Sequence, residues 1–217
     1  MAGSIDFEEA RRQMVERQLR ARGIHDERVL AAMLLVPRHE FVPEEFREQA
    51  YEDHPLAIGE NQTISQPYMV GLMTQELMLK PTDAVLEIGS GSGYQAAVLS
   101  RLASFVYTME RYQTLACLAY ATLRTLGYRN VTVLCGDGSR GLPDKAPFDA
   151  IIVTAGAPEI PDVLLDQLAE GGRLVIPVGQ KMFQVCKRVV KLGGQFDIRD
   201  ITGCVFVPLI GRFGWEI

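Results

Sequence analysis

Short apolar runs alternate with longer stretches of helical period through most of this chain. Ala84–Ile88, Phe105–Met109, Val131–Cys135, Phe148–Thr154 and Arg173–Val178 are brief, mostly apolar and set off by turn-forming or charged residues. Such runs suit strands buried on both faces of a parallel sheet. Between them, Tyr94–Leu102, Arg111–Leu126 and Pro161–Glu170 read as helices, with Gly127 and the pair Gly171-Gly172 as stops. The alternation predicts an α/β fold. After Val178 the period changes: Phe183–Leu192 and Phe196–Leu209, separated by Gly193-Gly194, read as a long hairpin, antiparallel at the sheet's edge.

The first 80 residues have a different texture. Phe7–Arg22 predicts one charged amphipathic helix with Met14, Val15 and Leu19 on its apolar side and Gly23 as terminator. Asp26 is placed to cap a second helix running to Leu35, stopped by Pro37; Arg38–Pro43 is a connector, and Glu44–Ala50 a third short helix. These form a cap ahead of the sheet. Tyr51–Pro67 has few signals for regular structure, and a long loop of that kind inside a compact domain is usually functional or disordered. Ser65 stands just before Gln66-Pro67 and the helical pattern Tyr68–Leu79, where an N-cap belongs. A serine there is either that cap or a group serving chemistry in the loop.

Candidate chemistry centres on Glu87-Ile-Gly89-Ser90-Gly91-Ser92-Gly93, at the carboxyl end of the first parallel strand. Glycines at alternate positions let the chain turn sharply and leave no side chain between backbone and ligand, with amides at the start of the next helix facing outward. Gly91-Ser-Gly93-Tyr-Gln-Ala96 satisfies a dinucleotide fingerprint, so a nicotinamide oxidoreductase is one reading. The acid two residues before the first glycine matches instead the first motif of S-adenosylmethionine-dependent methyltransferases; a non-catalytic nucleotide-binding module is a third reading. Glu110 lies at the end of the next strand, about 20 residues on, where a carboxylate accepts hydrogen bonds from a ribose diol of either cofactor. Gly136-Asp137-Gly138 is a loop or an adenine contact. Ala155-Gly-Ala-Pro158 leaves room beside a reacting centre and lacks the Asn/Asp-Pro-Pro-aromatic tetrad of enzymes that methylate exocyclic base nitrogens.

Composition narrows this picture. At 217 residues and 47% hydrophobic, the chain suits one sizeable core. A net charge of -5 points away from a surface that tracks nucleic-acid phosphates. Cys117, Cys135, Cys186 and Cys204 show no metal-binding spacing and are expected to be mostly buried thiols; no metal site is expected. The start, from Met1, lacks a basic flank and apolar core, and no apolar run approaches the ~20 residues that span a bilayer. A soluble, cytoplasmic protein is the expectation.

Over nearly its whole length the chain resembles the protein-L-isoaspartate O-methyltransferase family. The likeness is carried by Val29–Met33, Val36-Pro-Arg-His-Glu-Phe-Val-Pro43, Tyr51–Pro55, Gln62-Thr-Ile-Ser-Gln-Pro67, Val85–Tyr94, Gly136-Asp-Gly138, Ala150–Pro158, Gly171–Val178 and Val205–Trp215. The Gln-Thr-Ile-Ser-Gln-Pro loop is far more specific than the glycine motif. Ala57 and Asn61 depart from the family's usual proline and glycine. The resemblance implies a Rossmann-like, doubly wound, seven-stranded sheet with an N-terminal helical cap and a C-terminal antiparallel hairpin. In it the last two strands are exchanged relative to most methyltransferases of this fold. It implies a single domain over 1–217, with cap and substrate loop in 1–80, cofactor core in 81–178 and pocket-lining strands in 179–217. Its cofactor is S-adenosyl-L-methionine, leaving as S-adenosyl-L-homocysteine. The residues implied at that cofactor are Gln62, Thr63, Ile64, Glu87, Gly89, Ser90, Gly91, Gly93, Glu110, Arg111, Asp137 and Gly138. Ser65 is implied as the active-site residue, with Val207, Pro208 and Leu209 lining the isoaspartyl pocket. The implied partners are damaged proteins and peptides, met by a monomer without nucleic acid or membrane. Another small-molecule methyltransferase stays open beside the oxidoreductase.

Overall fold

A computed structural model describes residues 5–216; the reading of the start at Met1–Ser4 lies outside the described residues. Asp6 caps α1 (Phe7–Gln13), its carboxylate accepting from the amides of Glu8 and Glu9. The expected single helix then changes winding. Met14–Leu19 is a π-type stretch and Arg20–Arg22 a 3₁₀ turn, ended by Gly23 at φ 93. The bulged winding still turns Met14, Val15 and Leu19 inward, where all three are buried. Asp26 caps α2 (Glu27–Leu35) by accepting from Arg28 N–H, and 3₁₀ turns cover Arg38–Phe41 and Glu44–Gln49.

The segment expected to be an irregular loop contains a hairpin, β1 (Leu56–Gly59) paired with β2 (Gln62–Ile64). Its turn is Glu60-Asn61, both at positive φ (52 and 55), the conformation of a tight hairpin turn. Asn61, where glycine is usual, is one of the few other residues that adopts this region readily. α3 (Pro67–Glu76) follows, with Gln66 at the N-cap position and no side-chain cap. Ser65 is therefore one residue too early to cap, and the proline at the first helical position needs no acceptor for the amide it lacks.

The main sheet is built from β3 (Ala84–Ile88), β4 (Phe105–Glu110), β5 (Val131–Cys135), β6 (Phe148–Val153), β7 (Leu168–Gln180), β8 (Phe183–Leu192) and β9 (Gln195–Cys204). Between them lie α4 (Tyr94–Leu99), α5 (Gln113–Thr125) and α6 (Asp162–Asp166). The order is β5-β4-β3-β6-β7-β8-β9; the first five are parallel and the last two antiparallel. This is the expected seven-stranded doubly wound sheet, with β8 beside β7 as the exchange of the last two strands requires. Several boundaries shift. α6 stops at Asp166, and β7 begins before Gly171-Gly172, which form an irregularity between the pairs Phe148↔Leu168 and Ala150↔Arg173. The last strand ends at Cys204, so Val205–Leu209 leave the sheet.

Each face of the sheet carries a core. One joins α1–α4 to Val85, Val106, Ala150 and Ile152; the other packs Leu86, Ile88, Phe148 and Ile151 against Leu164 and Leu165 of α6. Arg173, 6% exposed, donates to the carbonyls of Leu77, Met78 and Asp149 and pairs with the Asp83 carboxylate, tying β7 to the turn that leads into β3. The cysteine expectation holds only in part: Cys186 is buried and Cys204 partly so, while Cys117 and Cys135 are exposed.

Candidate active site

From β3 the chain crosses to β4 on one side and, later, to β6 on the other. Carboxyl ends of neighbouring parallel strands diverge at such a reversal and leave a crevice. A cleft of about 860 Å³, its mouth included, opens at this point. Its floor is the turn after β3 with Met109, Glu110 and Arg111 at the end of β4; Gln62–Ser65 of the hairpin and Phe206–Ile210 form further walls, joined by Gly138. The structure thus brings together Gln62, Thr63, Ile64, Ser65, Gly89, Ser90, Gly91, Glu110, Arg111, Gly138, Val207, Pro208 and Leu209.

The turn works differently from the sequence expectation. Most of its amides are spent inside the protein rather than held out to a ligand. Gly89 N–H and Ser90 N–H both donate to Met109 O (2.8 and 3.1 Å), Gly91 N–H to Glu110 Oε2 (2.9 Å) and Gly93 N–H to Ser90 O (2.7 Å). The glycines serve close approach. A Cβ on Gly89, at φ 101, would stand 2.4 Å from Thr154 Oγ1, and one on Gly91 would meet Ile58 of the hairpin at 3.1 Å. Gly93 faces away from the cleft, against Ala119 and Leu123 of α5.

Glu110 is 5% exposed, with Oε1 accepting from Tyr112 N–H (3.0 Å) and Oε2 from Gly91 N–H. Each oxygen has a second lone pair. Its carboxylate is thereby fixed at the strand end with acceptor capacity to spare. Glu87 lies beneath the turn rather than in the cleft wall: it is fully buried, neither carboxylate oxygen is within hydrogen-bond geometry of a partner among the described residues, and burial, only partly offset by the nearby Thr108 hydroxyl, pushes its carboxyl up to about 8. Asp137 also stands outside this cleft, in an adjoining hollow with Gly136, Ile210, Gly211, Arg212 and Trp215. Its carboxylate accepts from Ser139 N–H, Ser139 Oγ–H and Arg212 N–H, anchoring the C-terminal segment. Burial opposes the charge, but these donors hold the carboxyl below its ordinary value. Arg111 and Ile210 border both spaces.

Ser65 faces the cleft half-buried, and its hydroxyl has no hydrogen bond among the described residues. Its carbonyl accepts from Arg38 Nη2 (2.8 Å). Opposite, Val207 O accepts from Gly156 N–H and Gly156 O from Leu209 N–H, both at 2.8 Å, so the pocket segment is sewn to the loop that follows β6. Gln184 fixes its approach by accepting from Phe206 N–H at 2.7 Å. Sequence reasoning missed Ile58, Met73, Tyr94, Gln95, Thr154 and Phe206, which complete the walls. None carried a local signal in the sequence; Ile58 faces inward only once β1 forms, in the buried-exposed alternation of Leu56–Gly59.

The family model for protein-L-isoaspartate(D-aspartate) O-methyltransferase (PCMT) matches residues 9–214. Protein-L-isoaspartate O-methyltransferase 1 of Syntrophobacter fumaroxidans is 57% identical over 212 residues, covering 98% of this chain and 99% of the relative. The enzyme of the same name in Methanoculleus marisnigri is 54% identical over 206 residues, covering 95% and 94%. Among solved structures, a protein-L-isoaspartate O-methyltransferase superposes with a TM-score of 0.85 at 32% identity, over 94% of this chain and 67% of that one. A Plasmodium falciparum protein described as a putative member, in complex with S-adenosyl-L-homocysteine, gives 0.81 at 29% identity, over 92% and 98%.

Proposed function

The chain belongs to the protein-L-isoaspartate(D-aspartate) O-methyltransferase family, and from that premise we propose which of its residues carry the reaction. The enzyme transfers a methyl group from S-adenosylmethionine to the free α-carboxylate of L-isoaspartyl residues in damaged proteins and peptides. The cleft fits the cofactor: its glycines leave a cradle that added Cβ atoms would crowd, and Glu110 keeps open acceptor positions beside it. When bound, S-adenosylmethionine supplies a sulfonium-held methyl group and leaves as S-adenosylhomocysteine. Gly89, Ser90 and Gly91 hold its amino-acid end, Glu110 its ribose, and Arg111, Gly138 and the hollow at Asp137 its base. Glu87 and Gly93 support the turn from behind, and Gln62, Thr63 and Ile64 cover the cofactor from the hairpin.

An isoaspartyl residue routes the backbone through its side-chain carbonyl and leaves an α-carboxyl group free. With a pKa of roughly 3.5 by analogy with chain termini, that group is ionised at neutral pH, so no general base is needed. What remains is alignment and removal of water. The Ser65 hydroxyl, which faces the cleft without a partner among the described residues, donates to one carboxylate oxygen and leaves the other to take the methyl. Val207, Pro208 and Leu209 close the pocket with apolar surface and main chain, which strips water from the carboxylate. The ester then closes to a succinimide without the enzyme, as a backbone amide nitrogen attacks the ester carbonyl and methanol leaves, and hydrolysis returns part of it as normal aspartate.

We further propose one folded domain over 1–217, divided as cap and substrate loop, cofactor core and pocket strands, and active as a cytoplasmic monomer. Among the described residues no helix is long and apolar enough to cross a membrane. Four unpaired cysteines fit a reducing compartment. The observation carrying the site proposal is the convergence of Ser65, Glu110 and Val207–Leu209 on one cleft. It is tested with a peptide pair, one isoaspartyl and one aspartyl, otherwise identical. Methyl ester should form only on the isoaspartyl peptide; equal rates on both would overturn the pocket assignment.

A further inference from the structure

Arg38 is the largest fully buried side chain of the cap and forms no ion pair among the described residues. A guanidinium taken out of water without a carboxylate is costly, and buried charges are ordinarily paired. Here the fork is spent on main-chain carbonyls. Nε donates to Ala50 O at 2.7 Å and Nη2 to Ser65 O at 2.8 Å, while the ring of Tyr94 lies 4.9 Å from the guanidinium carbon. Nη1 is buried without a partner. Two of these neighbours, Ser65 and Tyr94, are themselves cleft walls. The planar fork links two segments, the end of the 3₁₀ turn at Gln49-Ala50 and the residue before the N-cap of α3; close by, Asp53 also joins them by accepting from Tyr68 N–H at 3.3 Å.

Ser65 needs such a tether. It belongs to neither β2 nor α3, its hydroxyl has no partner among the described residues, and Gln66 makes no side-chain cap that would stiffen the junction. The Arg38 bond is the side-chain contact that fixes its peptide plane. Resting on the proposed role of Ser65, we infer that Arg38 is a positioning residue for methyl transfer, acting through the Ser65 carbonyl to set where the Ser65 hydroxyl meets the substrate carboxylate. Lysine is a poor substitute, since a single ammonium cannot hold two diverging carbonyls in a plane as a guanidinium does. Arg38 donates no hydrogen bond to the cofactor turn and meets only the ring of Tyr94 just after it, so cofactor affinity is a separate readout.

The test uses the full-length enzyme as wild type, Arg38→Lys, Arg38→Met, Ser65→Ala and the Ser65→Ala/Arg38→Met double variant. Active-site concentration is taken from the calorimetric stoichiometry of S-adenosylhomocysteine, and rates on an isoaspartyl peptide are expressed per site. A misplacement on the ångström scale costs about 100-fold in rate. Arg38→Met should therefore lose about 10- to 100-fold in kcat per site, Arg38→Lys less, with cofactor-product affinity within about threefold of wild type. In the Ser65→Ala background the same substitution should cost under about threefold, because the group it positions is gone. A purely structural role would lower melting temperature and site number but leave kcat per site within twofold, and that result overturns the inference. So does a full additive loss in the double variant, or a parallel loss of cofactor affinity. Should Arg38→Met not fold, Arg38→Lys decides alone: a kcat per site within twofold of wild type rejects the tether. A wild-type enzyme inactive on isoaspartyl peptide would instead reject the functional proposal, before any variant is compared.

Discussion

At Ser65 the two sequence readings, helix cap and chemical group, make opposite demands on one substitution. A true cap costs about 1 kcal/mol of stability when replaced by alanine. Ser65 makes no such bond; α3 starts at Pro67, and its N-cap position belongs to Gln66. Ser65→Ala should therefore leave the melting temperature within a degree or two while lowering kcat/KM on isoaspartyl peptide by about 100-fold, the scale for losing a positioned donor. Intact kcat/KM would remove Ser65 from the mechanism. Glu87 offers a test by pH. Burial raises its carboxyl from 4.5 to about 8. Between those values the unfolded chain releases the proton and the folded chain retains it, which favours unfolding as pH rises. Stability associated with a neutral Glu87 is thus complete below about pH 4.5 and lost by about pH 8. In ligand-free protein, Glu87→Gln should gain on wild type by about a few kcal/mol in urea unfolding as pH rises from about 5 to about 8, since each tenfold change in proton affinity is worth about 1.4 kcal/mol. A constant offset across that range would show that Glu87 does not titrate there.

At the scale of elements, the glycine turn sets how much backbone geometry the site tolerates. Gly89 combines a left-handed φ of 101 with a neighbour 2.4 Å from any added Cβ, and that neighbour, Thr154 Oγ1, is held by bonds to Ile88 O and Gly89 O. Gly91 has a milder φ of 50 and faces the end of the Ile58 side chain. Gly89→Ala should destabilise by more than the ~1–2 kcal/mol of left-handed strain alone, and Gly91→Ala by about that strain. Equal melting temperatures for the two variants would contradict the packing of Thr154 under the turn. The parallel strands, the glycine turn and Glu110 were legible because each is written in a contiguous run of residues. The hairpin at Leu56–Ile64 was not: it has only two inward apolar residues on its first strand, and its turn signal is Asn61 beside Glu60, which seldom takes positive φ. Gly171-Gly172 read as a stop, yet parallel pairing with β6 resumes across them. The spent amides of Gly89, Ser90 and Gly91 were invisible for a related reason, since their acceptors, Met109 O and Glu110, belong to a different strand. The same holds for the apolar walls at Tyr94 and Phe206, which meet only through the fold.

For the molecule as a whole, the proposed division into cap, core and pocket strands describes regions rather than folding units. Met14, Val15, Leu19, Leu30 and Met33 of the first 80 residues share one buried cluster with Val85, Val106, Ile152 and Cys186 of the sheet, with Ala96 of α4 and with Phe206 after the last strand. Removing any region would expose the apolar face of another. Arg173 reinforces the joint, since its four bonds run from β7 to the Leu77–Met78 end of the cap, to Asp149 and to Asp83. A cooperative transition follows from such a shared core. It can be followed by two reporters far apart in sequence: far-UV circular dichroism, weighted by the helices of the cap and α5, and emission of Trp215, the only tryptophan, whose indole donates to Gly156 O at 3.0 Å. In urea the two curves should coincide. Arg173→Met strands the buried Asp83 carboxylate and should shift both by about 3–5 kcal/mol together, the cost of breaking a buried pair by removing one partner. A Trp215 transition that moves while the helical signal stays in place would divide the chain into separate units, and the single-domain proposal would fail with it.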